Sequence, residues 1–194
     1  MYAQALVNYQ TAVNSQRLPS DFTLELKLAR SYVATGDYAT AQVMYSDLLN
    51  RTGNDYLKAQ IDYLLGQMYV AMGQPQDAYV VYLHAVNNYP LAYYAYLSLV
   101  ELVYAGYPVD ELQRGIVDYH AGQYGAALAA FERYLVAAPS DPYSAAYYQG
   151  LIFRAQMDYE AAVAQWDLII QGSAEHALWD EAWEQKGYTL WAYL

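Results

Sequence analysis

Cysteine is absent from the 194 residues. Disulfide staples, thiolate nucleophiles and cysteine-type zinc sites are therefore excluded. Positive charge is scarce: nine Lys and Arg stand against 20 Asp and Glu, a formal net charge of −11. A phosphate backbone would be repelled, so no nucleic-acid partner is expected. An anionic membrane surface is disfavoured for the same reason. Charged residues of either sign make up only 15%, against about 25% in an ordinary soluble domain. Long hydrophobic runs are also missing. The longest, Leu91 to Tyr107, is slightly short for a span and carries Glu101; it reads as a buried helix, with no membrane insertion. The opening stretch MYAQALVNYQTAV has neither a basic flank nor an apolar core, so it does not read as a signal peptide.

Tyrosine is what the chain has in abundance. The 25 tyrosines explain how a 57% hydrophobic chain has a mean hydropathy of only −0.05, since each couples an apolar ring to a polar tip. They are placed periodically. Four times a helix-length segment meets a short turn and a second helix-length segment. The turns read Gly36-Asp37-Tyr38, Gly73-Gln74-Pro75, Gly122-Gln123-Tyr124 and Met157-Asp158-Tyr159. Behind each turn a small residue and an aromatic recur at one spacing: Ala41 and Tyr45, Ala78 and Tyr82, Ala127 and Phe131, Ala162 and Trp166. Repetition at this period is the mark of a helical-hairpin array. Glycine at the turn supplies a left-handed helix end. Gly66, Gly115 and Gly150, with Ala29, let two helices approach closely. The four aromatics are expected to fill the gap between one pair and the next.

This spacing resembles the tetratricopeptide repeat. The second unit carries most of it, in Leu65, Gly66, Tyr69, Gly73, Ala78, Tyr82, Ala85 and Pro90. The resemblance implies an all-α, right-handed superhelical solenoid of antiparallel helix pairs, with about eleven helices. The expected layout is a single array over 1–194: a half-repeat at 1–16, helix pairs at 22–51, 55–89, 108–138 and 143–171, an orphan helix at 91–105 and a half-repeat at 176–194. The orphan is expected to cap or link, or else to change the curvature at the binding surface. Half-repeats at both ends suggest a segment of a longer protein, or ends that dock on a neighbour. The exposed end would be Leu178, Trp179, Trp183, Trp191 and Leu194.

In the architecture implied, first helices line a concave face. By analogy the residues there are Arg30, Tyr63, Gln67, Tyr119, His120, Tyr147, Tyr148, Arg154, Tyr188 and Trp191. Rings beside amides suit extended peptides or sugars, because rings stack while amides hydrogen-bond. Packing accounts for many of the tyrosines as well. Family members that clamp a terminal carboxylate use Lys, Arg and Asn where this chain has Leu26, Tyr63, Leu112 and Tyr147, so that clamp is missing. After Arg154 the only basic residue is Lys186 among seven acids, which makes either a solvated acidic face or a surface that steers a basic partner.

Chemistry is not in view. His84, His120 and His176 are isolated and form no metal-binding pair. Phosphate loops and nucleophile elbows are missing from the sequence. An open array is expected to offer no closed pocket in which a carboxylate's pKa could rise. No catalytic residue, metal or cofactor is expected.

The stretch from Val109 to Leu194 is also similar to the helical region preceding the catalytic domain of bacterial soluble lytic transglycosylases, in RGIVDYHAGQYGAALAAFERYL, AAYYQGLIFRAQMDYEAAVAQWDLII and LWDEAWEQKGYTLWAYL. That resemblance implies a periplasmic or extracellular scaffold contacting peptidoglycan. The family's catalytic Glu-Ser motif does not occur here. Three readings follow: a non-catalytic scaffold for protein or peptide, a cell-wall enzyme's helical region, and a structural protein that self-associates head to tail through its half-repeat ends.

Overall fold

The computed structural model describes residues 2–15 and 22–193. Among these residues the secondary structure is eleven α-helices and no strand. They fall into two compact units, Met1–Pro108 and Val109–Leu194.

The first unit holds α1 (Tyr2–Asn14), α2 (Phe22–Thr35), α3 (Tyr38–Arg51), α4 (Asp55–Ala71), α5 (Pro75–Asn88) and α6 (Tyr93–Tyr104). The helix starts are written in the sequence. Asp37 and Asn54 accept from backbone N–H groups of Thr40, Tyr56 and Leu57, and Pro75 opens α5 where its missing N–H costs nothing. α2 pairs with α3, and α4 with α5. Their buried faces meet in a core built around Leu26, Ala29, Tyr45, Leu48, Ile61, Leu65 and Met68.

α6 is not an isolated linker. It packs against both α4 and α5, as a first helix packs on the pair before it. Only one face is buried, with Ala95, Ser98, Leu99 and Leu102 inside. Tyr93, Val100, Val103 and Tyr104 are exposed. The run read as a buried helix is therefore half-exposed. Among the described residues no helix is long and apolar enough to cross a membrane.

The second unit holds α7 (Glu111–His120), α8 (Tyr124–Val136), α9 (Tyr143–Ala155), α10 (Tyr159–Gly172) and α11 (Trp179–Tyr193). α7 pairs with α8 and α9 with α10; α11 packs on α10. Trp166, Phe131, Ile152 and Ile169 are fully buried. The start of α9 is clasped by Asp141, which accepts from the N–H groups of Tyr143 and Ser144 and from the Ser144 hydroxyl. His176, just ahead of α11, reaches the same carboxylate at 3.1 Å.

The recurring glycine and ring meet directly. A β-carbon on Gly66 would lie 2.1 Å from the Tyr82 ring; on Gly115, 2.3 Å from Phe131; on Gly150, 2.5 Å from Trp166. Each aromatic thus seals its own helix pair. Phe131 also reaches the following pair, stacking on Tyr148 with centroids 6.0 Å apart.

The turns use positive φ at Gly36, Gly73 and Gly122, at +84°, +73° and +73°. The fourth turn places Met157 at +66°, where a side chain costs about 1–2 kcal/mol. Met157 is 76% exposed, so its side chain contributes little packing. Met157→Gly is expected to raise the stability of this unit by about 1 kcal/mol. Chemical denaturation followed by tryptophan fluorescence reads it directly, because all four tryptophans lie in this unit.

Candidate functional site: aromatic faces on the first helices

In the first unit α4 and α6 lie side by side and their rings interlock. Tyr94 meets Tyr56 edge-on at 5.5 Å and Tyr63 at 5.8 Å between centroids. Two carboxamides complete the set. Gln60 Nε2 donates to the Tyr94 hydroxyl oxygen at 2.8 Å, and Gln67 Nε2 donates to that of Tyr63 at 3.0 Å. Each phenol accepts and so keeps its own O–H free to donate outward. Burial, with Glu101 nearby, pushes the Tyr63 pKa up, so that proton stays on. The face therefore offers O–H donors and carboxamide oxygens between rings.

The structure places Tyr63 and Gln67 next to each other on α4. Arg30 is not with them: it sits exposed on α2 beside α1, lining a groove with Tyr2, Tyr9 and Lys27. Tyr56, Gln60 and Tyr94 belong to the face although the sequence did not single them out. Tyr94 lay in a run whose hydrophobicity suggested burial all round.

In the second unit the cluster spans α7 and α9. Tyr119 meets Tyr148 at 5.4 Å, His120 meets Tyr148 at 6.0 Å and Tyr147 meets Tyr148 at 5.6 Å. Burial raises the pKa of all three tyrosines. His120 keeps an exposed edge, but its partial desolvation among the rings lowers its pKa, leaving the imidazole neutral at pH 7. Arg154 is held by π faces: its guanidinium lies 5.4 Å from the Trp166 centroid and 5.7 Å from that of Tyr188. Its Nη1 donates to Gln185 Oε1 at 2.5 Å. Trp191 is 84% exposed, near Tyr188.

The proposed exposed end divides. Trp183 is exposed. Leu178 and Trp179 are half-buried, and the Trp179 indole N–H donates to the Ile170 carbonyl at 3.2 Å. Leu194 lies outside the described residues.

Burial of acids, unlike the expectation from sequence, does not need a closed pocket. Helix packing alone covers Asp62 and Asp118, which are 4% and 5% exposed. Burial raises the Asp62 pKa against the opposing pull of His84, whose Nδ1 lies 2.7 Å away. Burial pushes Asp118 up to about 6, with Arg114 and Arg133 opposing. Neither acid shares a cluster suited to a metal, and among the described residues no group of three or more potential ligands is found.

Solved structures similar to the chain include two of low identity. One is BtubC (BKLC) from P. vanneervenii, with 16% identity over 97% of this chain and 80% of that one, at a TM-score of 0.41. The other is a tetratricopeptide repeat protein from Parabacteroides merdae ATCC 43184, with 16% identity over 97% of this chain and 92% of that one, at a TM-score of 0.34. No curated protein matches in sequence. The family model for the tetratricopeptide repeat matches residues 26–92 and 112–177, more than half of the sequence, and the chain belongs to the tetratricopeptide repeat family.

Proposed function

We propose that the chain is a non-catalytic scaffold that holds extended segments of a partner protein against the aromatic faces of its first helices. Membership of the tetratricopeptide repeat family points to protein interaction. The observation that carries the finer reading is the Gln60–Tyr94 and Gln67–Tyr63 pairing. It lines up hydroxyl donors and carboxamide acceptors between rings, and an extended peptide presents the complementary carbonyls and N–H groups at every second residue. The second unit offers a comparable set of rings in Tyr119, Tyr147 and Tyr148. Because the carboxylate clamp is replaced by Leu26, Tyr63, Leu112 and Tyr147, the segment is recognised along its length rather than by its terminus. The net charge of −11 favours a neutral or basic segment.

Peptides selected from a display library test this. Tyr63→Ala and Tyr147→Ala should each weaken the peptides that use their face about tenfold or more in titration calorimetry. Peptides that bind both variants as they bind the parent chain would refute the reading.

A second reading has one specific support: the compact unit Val109–Leu194 spans the same residues as the resemblance to the helical region of lytic transglycosylases. On that reading Tyr147, Tyr188 and Trp191 stack on peptidoglycan sugars outside the cytoplasm. Heat on titrating soluble peptidoglycan fragments, lost in Tyr188→Ala, would favour it over the peptide.

A further inference from the structure

In three helix pairs the first helix offers a glycine that a ring of the second helix covers: Tyr82 over Gly66, Phe131 over Gly115, Trp166 over Gly150. Gly187 holds the corresponding place on α11: it follows Gly150 by 37 residues, close to the 35 that separate Gly115 from Gly150. A β-carbon built on Gly187 meets nothing within 4 Å. Around this notch the outward stripe of α11 runs Asp180, Glu184, Gly187, Trp191, opposite buried Ala182 and Thr189. Glu181 and Tyr188 flank it. None of these three acids has an ion pair among the described residues; in α11 the ion pair belongs to Lys186, which holds Asp167.

The first unit carries a surface of opposite character. α1 places Ala5 and Tyr9 at the small-then-aromatic spacing that marks the second helix of every pair. Tyr2, Ala5 and Tyr9 line a groove of about 470 Å³ with Lys27 and Arg30 of α2. In an acidic protein these two cations are conspicuous. Arg51, Lys58, Arg114, Arg133 and Lys186 each face a carboxylate. Lys27 and Arg30 have no such partner among the described residues, and both open into the same groove.

We propose that the two surfaces are halves of one interface between copies of this chain. α11 of one copy takes the first-helix place, and α1 of a second copy the second-helix place, of a composite helix pair. Tyr9 covers Gly187, and Lys27 and Arg30 meet Glu181 and Glu184. The occupant is a second copy because one chain carries both an acidic, notched helix and a basic, tyrosine-lined groove beside a helix of the matching pattern. The contact also covers rings that are otherwise open to water, Tyr2 at 67% and Trp191 at 84% exposure. It is heterologous, so each contact leaves an unused half on both copies for a further one. It leaves the faces around Tyr63 and Tyr147 free, whereas a ligand stacked on Trp191 would compete with it.

Light scattering of the purified chain across protein concentration tests this. Mass should rise with concentration and fall with added salt. Lys27→Glu with Arg30→Glu, and separately Glu181→Lys with Glu184→Lys, should each weaken association about tenfold or more. Mixing the two charge-reversed proteins should restore growth, since every contact between unlike copies again pairs opposite signs. Gly187→Leu should block association while leaving the helical circular dichroism intact, because the new side chain points into open space. A mass of one chain at every concentration, or growth that survives both reversals, would overturn the proposal.

Discussion

Replacing Trp166 by alanine is expected to lower the stability of the Val109–Leu194 unit by about 3–5 kcal/mol. The ring is 0% exposed and fills the space over Gly150, where the helices of the pair come closest. It is also one of the two π faces on which Arg154 rests, 5.4 Å from the guanidinium, so the loss reaches the candidate binding face as well as the core. The glycine opposite gives a sharper test. Gly150→Ala puts a methyl 2.5 Å from the indole nitrogen and should cost about 1–3 kcal/mol through overpacking. In the Trp166→Ala background the obstacle is gone, and the same change should stabilise by up to about 1 kcal/mol through helix propensity. The sign of the Gly150 effect therefore reverses with the residue at 166. Urea unfolding followed by the fluorescence of the remaining tryptophans measures all three variants. Additive effects would show that ring and glycine are not packed as described.

The second large effect is one of pH. The carboxyl of Asp118 titrates at about 6 in the folded chain, with burial as the main cause, against about 3.9 when unfolded. Between these values the folded state holds a proton that the unfolded state has lost. The stabilisation is therefore complete below about pH 4 and disappears as pH rises through about 6, a change of about 2–3 kcal/mol for this group alone. Arg114, 3.8 Å from the carboxylate, offsets part of the burial and sets the final value. Asp118→Asn should remove this pH dependence. Its unfolding free energy, compared with that of the parent between pH 4 and pH 7, should diverge upward toward pH 7. Parallel curves would mean that Asp118 is solvated and titrates normally.

Much of the fold was legible because the repeat stores it as spacing. Gly66 and Tyr82, Gly115 and Phe131, and Gly150 and Trp166 hold one interval because a ring on the second helix must land on a bare spot of the first. Asp37, Asn54, Asp110 and Asp158 cap their helices by side-chain hydrogen bonds, local contacts that the repeat spacing alone did not point to. Other features depend on what a residue meets, which spacing does not record. The sequence suggested an apolar orphan helix that caps or links; its packing on both α4 and α5 came from the structure. Tyr94, the centre of the first aromatic face, was hidden inside that run. The buried acids Asp62 and Asp118 sit at polar-looking positions that the neighbouring helix then covers. Arg30 was placed on the face of Tyr63 and Gln67 by analogy, whereas the structure turns it toward α1.

Nuclear magnetic resonance of ring-labelled tyrosine during titration with a display-selected peptide shows which rings a bound segment touches. The signals expected to move belong to Tyr56, Tyr63 and Tyr94, or to Tyr119, Tyr147 and Tyr148, while Tyr79 and Tyr107, paired with each other at 5.0 Å, stay still. Binding that shifts Tyr79 and Tyr107 and leaves both sets unmoved would contradict the proposed binding faces.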